Sequence, residues 1–424
     1  MYLLVTQAPI YLEGGVRPWL RASWRRSLVL LREALEDRLG PVAVLGPSLP
    51  LEAGGAGLEA VEHEDGLRLL PSIDLRASAG AYWLRERARW RADVRAWVGR
   101  ARAVHAGLTE DLWRPLAFEG FREARRQERP AVFFLGADPV ARREARARRE
   151  GAVARVAAQM YGTVFDGAAR YAARTADLTL LRAGAVQRRY ARHARNARAF
   201  HEARHLVADV VAAAVIEERR AGRASGQPLR AVSCAPLEPG RGVDDAIDVL
   251  RLARQRGVAL TLDVAGRGVE RRRLESRVAA LGLRAAVRFV DVPASGAERA
   301  RRLAGYDVLL VTSTGDEAGR EVLDGFAAGL PTVGYASETL RQHVEEDGAA
   351  LAVRVADVDA AARALADLAR DGERLAQLAR AAHRAGRHHA LDAWHRRRAA
   401  WTLEAIEAHD VAARAGRVPA SAAA

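Results

Sequence analysis

The sequence predicts an α/β protein built from two domains, each a parallel sheet with helices on both faces. Three observations lead there. Apolar runs of strand length alternate with longer helical stretches from residue 2 to about residue 192. The same alternation restarts at Leu229. Between the two, residues 200–227 are polar and run into Pro228, as a connection would. Strands separated by helices pair in parallel, because each helix carries the chain back to the start of the next strand. A chain of 424 residues has room for two or three such domains.

In the first half, Tyr2–Thr6 reads as a strand, followed by a Gly14-Gly15 turn and a helix from about Pro18 to Leu39, stopped by Gly40. Val42–Leu45 is a strand, and 60–70 holds a short strand or hairpin. Trp83–Arg100 is helical, Ala103–Val104 leads to His105 at a strand end, and Leu112–Arg126 is helical. Ala131–Leu135 is a strong strand ending at Gly136-Ala137-Asp138. A single Arg-rich helix runs from Val140 to about Tyr171, then a strand at Leu178–Leu181 and a short helix at 183–192.

The second half opens with strand Arg230–Ala235, helix Val243–Arg256, strand Leu260–Ala265 and a Gly-Arg-Gly turn at 266–268. Helix Val269–Leu281, strand Val287–Val290, helix Ala297–Ala304 and strand Val308–Val311 follow. Beyond them come strands at Thr332–Tyr335 and Ala350–Val353, and helices at 337–345, 356–371 and 373–387. A last helix, carrying Trp394 and Trp401, spans about 391–409. The expected division is therefore 1–205, a linker at 206–227, 228–388, a C-terminal helix at 389–412 and a frayed tail at 413–424.

Composition narrows the class. All 67 basic residues are Arg, and the net charge is +14. The Arg residues alternate with acids on helices, as in ARREARARRE (141–150), which reads as solvated faces with close opposite charges. The charge excess admits anionic partners: nucleotide phosphates, an acidic lipid surface or nucleic acid. No zinc-finger, RNA-recognition or basic-zipper pattern occurs, so nucleic acid is not expected. No apolar run of membrane-spanning length exists, and the N-terminus lacks a basic n-region, so a cytoplasmic protein is expected, with peripheral membrane contact left open. The one cysteine, Cys234, excludes an intrachain disulfide and a Cys-based zinc site.

The most informative stretch is DVLLVTSTGDEAGREVLDGFAAGLPTVGY (307–335). A buried strand leads into a polar turn, a short helix carrying Asp324, a Gly-Leu-Pro stop at 329–331 and another strand. Turns at strand carboxyl ends are where open α/β sheets hold ligands. Acidic groups there, Asp316 and Asp324, can bind hydroxyls. This stretch resembles the donor-site segment of the GT-B glycosyltransferases, specifically the retaining glycosyltransferase family 4 (glycosyl transferases group 1). With Gly329-Leu330-Pro331 fixing the register, Asp316 and Asp324 stand where the family has Glu, and Gly319 where it has a second Gly. CAPLEPGRGVDDAIDVLRLA (234–253) is similar to the family's diphosphate loop, with Arg241 on its Lys position and Pro236 on its Arg position. Residues 264–293 and 347–382 follow its later blocks, and 11–47 resembles its glycine loop, first helix and second strand.

The resemblance implies a GT-B fold: two Rossmann-like domains facing across a cleft, with the C-terminal helix crossing back to the N-terminal domain. It implies transfer of a sugar from a nucleoside diphosphate donor to a hydroxyl of a sugar, lipid or small-molecule acceptor, with retention and without a metal or cofactor. Phosphates need backbone N–H groups, helix N-termini or Arg. Gly14, Gly15, Arg241 and Gly266 are expected to serve them, with the amides of Glu317, Ala318 and Gly319. Asp324 would accept from the ribose hydroxyls and Asp316 would face the transferred sugar, with Glu317 taking that role if the loop shifts by one residue. A turn-capping Asx is the plainer role for Asp316. Val290 and Val292 would line the base pocket, or simply pack in the core. His105 or Asp138 would orient or deprotonate the acceptor.

Two rival readings remain. HEARH (201–205) matches the His-Glu-x-x-His pattern of zinc peptidases, which requires a helix and a third ligand. The departures at Asp316, Asp324 and Pro236 suit a catalytically weak GT-B protein that partners another transferase.

Overall fold

The computed structural model describes residues 1–224, 227–293, 295–313 and 319–416. The tail expected to fray lies largely outside this set, in 417–424. The chain forms two compact units: 1–200 with 395–424, and 201–394.

The first unit carries β1 (Tyr2–Val5), β2 (Ile10–Glu13), β3 (Arg17–Arg21), β4 (Val42–Pro50), β5 (Leu58–Ala60), β6 (Leu67–Asp74), β7 (Ala103–Gly107), β8 (Ala131–Leu135), β9 (Leu178–Arg182) and β10 (Ala197–Phe200). They form one sheet in the order β10-β9-β8-β7-β1-β4-β2-β3-β5, with β6 also on β4. The strands from β10 to β4, and β6, pair in parallel, as expected of apolar runs joined by helices. At the other end the expectation fails: β2–β3 and β3–β5 are antiparallel. Pro18 does not open a helix but pairs with Leu12 in the hairpin, and the helix begins at Ala22. Pro18 is the second residue of β3 and precedes the register with β5, which begins at Trp19; the start of a strand tolerates Pro as the first turn of a helix does. The long Arg-rich helix is two, Pro139–Glu150 and Ala152–Thr175, broken at Gly151 with φ 104°.

From His395 the final helix, Leu391–Arg414, belongs to the first unit. Its Ala399, Leu403 and Ile406 pack with Tyr2, Leu35 and Val42. Arg102 pairs with Asp410, and His409 Nδ1 lies 2.9 Å from Asp177 Oδ1.

The second unit carries β11 (Leu229–Cys234), β12 (Leu260–Ala265), β13 (Val287–Val290), β14 (Val308–Val311), β15 (Thr332–Tyr335) and β16 (Ala350–Val353). All pair in parallel in the order β13-β12-β11-β14-β15-β16. Chain order reverses between β11 and β14, which makes their carboxyl ends a topological switch point. The stretch expected as a linker is not one throughout: it contains the helix Ala213–Ala224. That helix is docked by the buried Ile216 and by Arg219, which donates to the carbonyls of Tyr306 (3.0 Å) and Gly329 (2.6 Å). Burying an Arg is tolerated here because its donors meet carbonyls left over at a loop and a helix end.

Candidate active site

Three loops meet at the carboxyl end of the second sheet: 235–242 after β11, 266–270 after β12 and 312–313 after β14. Backbone lies against backbone. A Cβ on Gly242 would lie 2.0 Å from Thr312 O, and one on Gly266 would lie 1.9 Å from Ala235 O. The Thr312 hydroxyl donates to Gly242 O at 2.7 Å, and Leu237 N donates to Arg267 O at 2.9 Å. Both Gly-Arg-Gly turns are therefore fixed by close approach, and only glycine fits. Gly242 also has φ 78°, which an L side chain resists. Gly242→Ala is expected to destabilise the protein by about 2 kcal/mol, read as a lowered urea midpoint with unchanged slope. An unchanged midpoint would show that the loops part easily.

Arg241 projects from the first of these turns, half-buried, with Nε 3.6 Å from Glu238. The helix Val243–Gln255 starts directly behind it and carries Asp244 and Asp245 in its first turn. Both acids are engaged: Arg273 holds Asp244 at 2.5 Å, and the Tyr335 hydroxyl donates to Asp245 at 2.6 Å. These contacts draw part of the negative charge away from the helix N-terminus, where an anion would dock. Gly266 follows Ala265, which pairs in register with Val290, so these two lie side by side at the carboxyl end of the sheet. Val290 and Val292 are half-buried against the core beneath.

Asp324 lies in the helix Gly319–Ala327 and is buried. Arg299 Nε donates to its Oδ2 at 2.8 Å, and the same guanidinium donates to Pro293 O at 2.8 Å. Burial pushes the Asp324 carboxyl up, while Arg299, Arg204 and His205 pull it back. Glu321, one turn earlier, is also pushed up, by burial first, and its Oε2 has no hydrogen-bond partner. Arg299 and Arg204 are the residues that the sequence did not single out. Arg299 shares a helix face with the buried Leu303, four residues on, which is the signal that would have found it. Asp316, Glu317 and Ala318 lie outside the described residues; Gly319 opens the helix, where an added Cβ would lie 3.0 Å from Thr339 Cγ2.

The residues of the first half are placed differently from expectation. Gly14 and Gly15 do not join a strand to a helix. They form the exposed turn of the β2–β3 hairpin, with φ 58° and 78°, and no helix N-terminus adjoins them. His105 is not at a strand end but mid-strand, buried between Leu4 and Val132 in the ladder. Its Nδ1 lies 2.8 Å from the Tyr2 hydroxyl, and burial, with Arg398, pulls it down to about 3. It is a neutral core imidazole. Asp138 caps a helix: Oδ1 accepts from Val140 N (3.0 Å) and Ala141 N (3.1 Å), and Oδ2 lies 3.4 Å from Arg189. Both of its oxygens are thus taken up in capping and ion pairing.

HEARH is irregular rather than helical, so His201 and His205 do not share the helix face a zinc site requires. His205 Nε2 lies 2.8 Å from Gly386 O, and Glu202 pairs with Arg320 at 2.6 Å. Among the described residues His343, Asp347 and His389 do converge, with ligating atoms within 4.8 Å. There both imidazoles hydrogen-bond Asp347, at 2.7 and 3.0 Å, which depresses its carboxyl.

The fold is that of a doubly wound protein of the GT-B type, with a glycine-packed loop cluster at the switch point of its second sheet. Residues 215–385, within the second unit, match the family described as glycosyl transferases group 1. The whole chain is similar in structure to GT-B glycosyltransferases. HepE of Anabaena, solved in complex with UDP, is 16% identical, with a TM-score of 0.63 over 95% of this chain and 99% of that one. The trehalose 6-phosphate synthase of Burkholderia multivorans is 13% identical, with a TM-score of 0.61 over 98% and 99%. The sucrose-phosphate synthase of Thermosynechococcus elongatus is 14% identical, with a TM-score of 0.58 over 98% and 99%. No curated protein matches the sequence significantly.

Proposed function

We propose that the protein transfers a sugar from a nucleoside diphosphate donor to an acceptor hydroxyl, with retention of configuration, and that the second unit binds the donor. The observation that carries this reading is the glycine-packed loop cluster at the β11–β14 switch point, within the residues that match the group 1 family. In the reaction the bond from the sugar's anomeric carbon to the diphosphate breaks. A new bond to the acceptor oxygen forms, and the acceptor's proton passes to the departing diphosphate. The leaving group gains charge as it departs, so fixed positive charge there accelerates the step. Arg241 supplies it, aided by the amides that open the helices after β11 and β14, including Gly319. Asp324 accepts from the ribose hydroxyls, Asp316 or Glu317 faces the sugar, and Val290 borders the base. UDP donors are the first to try, since HepE is solved with UDP and with UDP-glucose.

Thermal shift and calorimetry with UDP, GDP and their glucose and mannose conjugates test the reading. At least one should stabilise the protein, by an amount that grows with its concentration. Arg241→Ala should weaken that ligand about tenfold or more, because a charge-assisted contact to phosphate is lost. No stabilisation by any nucleotide sugar would sink the proposal.

A second reading is favoured by one observation: Asp324 already spends one oxygen on Arg299. A GT-B protein that binds donor weakly and acts on another transferase would show this. Slow hydrolysis of a bound donor excludes it.

A further inference from the structure

The helix Ala152–Thr175 has two apolar faces. One, with Ala158, Phe165, Ala169 and Ala172, is buried in the core of the first unit. The other, with Val153, Val156, Met160 and Val164 at helical spacing, faces outward; Val153 is 86% exposed and Met160 67%. A helix that is apolar on both sides normally has something on both sides. Between Ala152 and Thr163 the only charged residue is Arg155. The neighbouring helix, Pro139–Glu150, is its opposite: Arg142, Arg143, Arg146 and Arg148 are all exposed. Tyr161 links the hairpin to the next loop. Its ring lies under Arg143 and its hydroxyl donates to Glu110 O at 3.0 Å. That loop ends at Trp113, 74% exposed, whose carbonyl accepts from the indole of Trp83.

We propose that this helical hairpin docks the protein on an anionic lipid bilayer. Val153, Val156, Met160 and Val164 enter the headgroup–acyl boundary, and the Arg residues of Pro139–Glu150 meet the lipid phosphates. Interfacial helices bind by this combination of an apolar stripe and flanking basic residues. Indole rings sit at the same depth, which suits Trp113. The ion pairs Arg142–Glu110 and Arg146–Glu150 are exposed and weak, so lipid phosphate can replace them. A second copy of the chain is the poorer occupant. A two-fold contact on this stripe brings the same Arg-rich helix of each copy to the same interface, where like charges repel.

Sedimentation with sucrose-loaded vesicles tests the proposal, independently of any sugar transfer. The protein should pellet with phosphatidylcholine vesicles containing about 30% phosphatidylglycerol, and release as salt rises to about 0.5 M. It should stay in solution with phosphatidylcholine alone. Val156→Glu with Met160→Glu should weaken partitioning at least about tenfold, because it places charge at the apolar boundary. Arg142→Glu with Arg146→Glu should weaken it comparably, on the anionic vesicles only. These positions are exposed, so thermal stability should stay within about 0.5 kcal/mol of the parent. Failure of the parent protein to pellet overturns the proposal, as does equal binding by the Val156/Met160 variant. A dimer that this variant dissolves, with no vesicle binding by the parent, assigns the face to self-association instead.

Discussion

Asp324→Ala destabilises the protein by about 3–5 kcal/mol, more than Arg299→Ala does. Removing one member of a buried pair leaves the other as an uncompensated charge, and the two partners differ in how they escape that cost. Arg299 cannot shed its proton, and with Arg204 and His205 nearby its site becomes more positive without Asp324. Asp324 can take one up, since burial already pushes its carboxyl upward. Arg299→Ala therefore leaves a neutral acid, at roughly the cost of a lost hydrogen bond and some packing. Both single variants and the double should be unfolded in urea. The double should cost less than the sum, because the residues touch at 2.8 Å. Additive costs would show that the pair is not coupled. Asp324→Asn keeps the shape and an acceptor oxygen but removes the charge, so it too should be destabilised, by less than Asp324→Ala, and any change in nucleotide affinity is read only at temperatures where the variant is still folded.

The second sheet was legible because its strands are buried on both faces. Leu260–Ala265, Val287–Val290, Val308–Val311, Thr332–Tyr335 and Ala350–Val353 are apolar runs between Gly or polar turns, and the sequence bounds coincide with the structure. The first sheet was legible only in its parallel part. IYLE and RPWLR are short and partly exposed, and Pro18 is as apt at a helix start as at the start of a strand. The helix Ala213–Ala224 was hidden because its apolar contact is short, Ile216 with Val215 beside it, and the rest of its docking falls to one Arg among several. The site divides the same way. The two Gly-Arg-Gly turns announce themselves, because only glycine permits such approach. His105 could not be placed: in AVHAG, alternation cannot say which face of a sheet covered on both sides a residue takes. Arg299 was passed over for want of a motif, although Leu303 four residues on marks its face as the inward one, while Arg301 and Arg302 are exposed.

The first unit should be labile to mild acid. His105 and His395 are both buried and both pulled down to about 3, by burial first and then by Arg398. The groups facing them explain the direction. Arg398 adds fixed positive charge, and Tyr2, whose own ionisation burial suppresses, offers only a neutral hydroxyl 2.8 Å from His105 Nδ1. No acid appears among the charges acting on either ring, so protonation in the fold has nothing to offset it. In the unfolded chain both titrate near their usual pKa of about 6.5. Their contribution is thus fully present above about pH 6.5 and is lost as pH falls towards 3, because only the unfolded state binds the protons over that window. The slope approaches about 1.4 kcal/mol per pH unit for each histidine below pH 6, so about 3 kcal/mol disappears between pH 6.5 and 5. His409 works in the other direction. Asp177 raises it, so its contribution is present in acid and lost as pH rises through its folded value, and it adds nothing to acid lability. Urea unfolding of the first unit at several pH values should show the combined slope, and His395→Gln should remove about half of it. A slope that His395→Gln leaves unchanged would mean that water or an anion reaches the ring in the native state, and that the helix after His395 does not seal this face of the sheet.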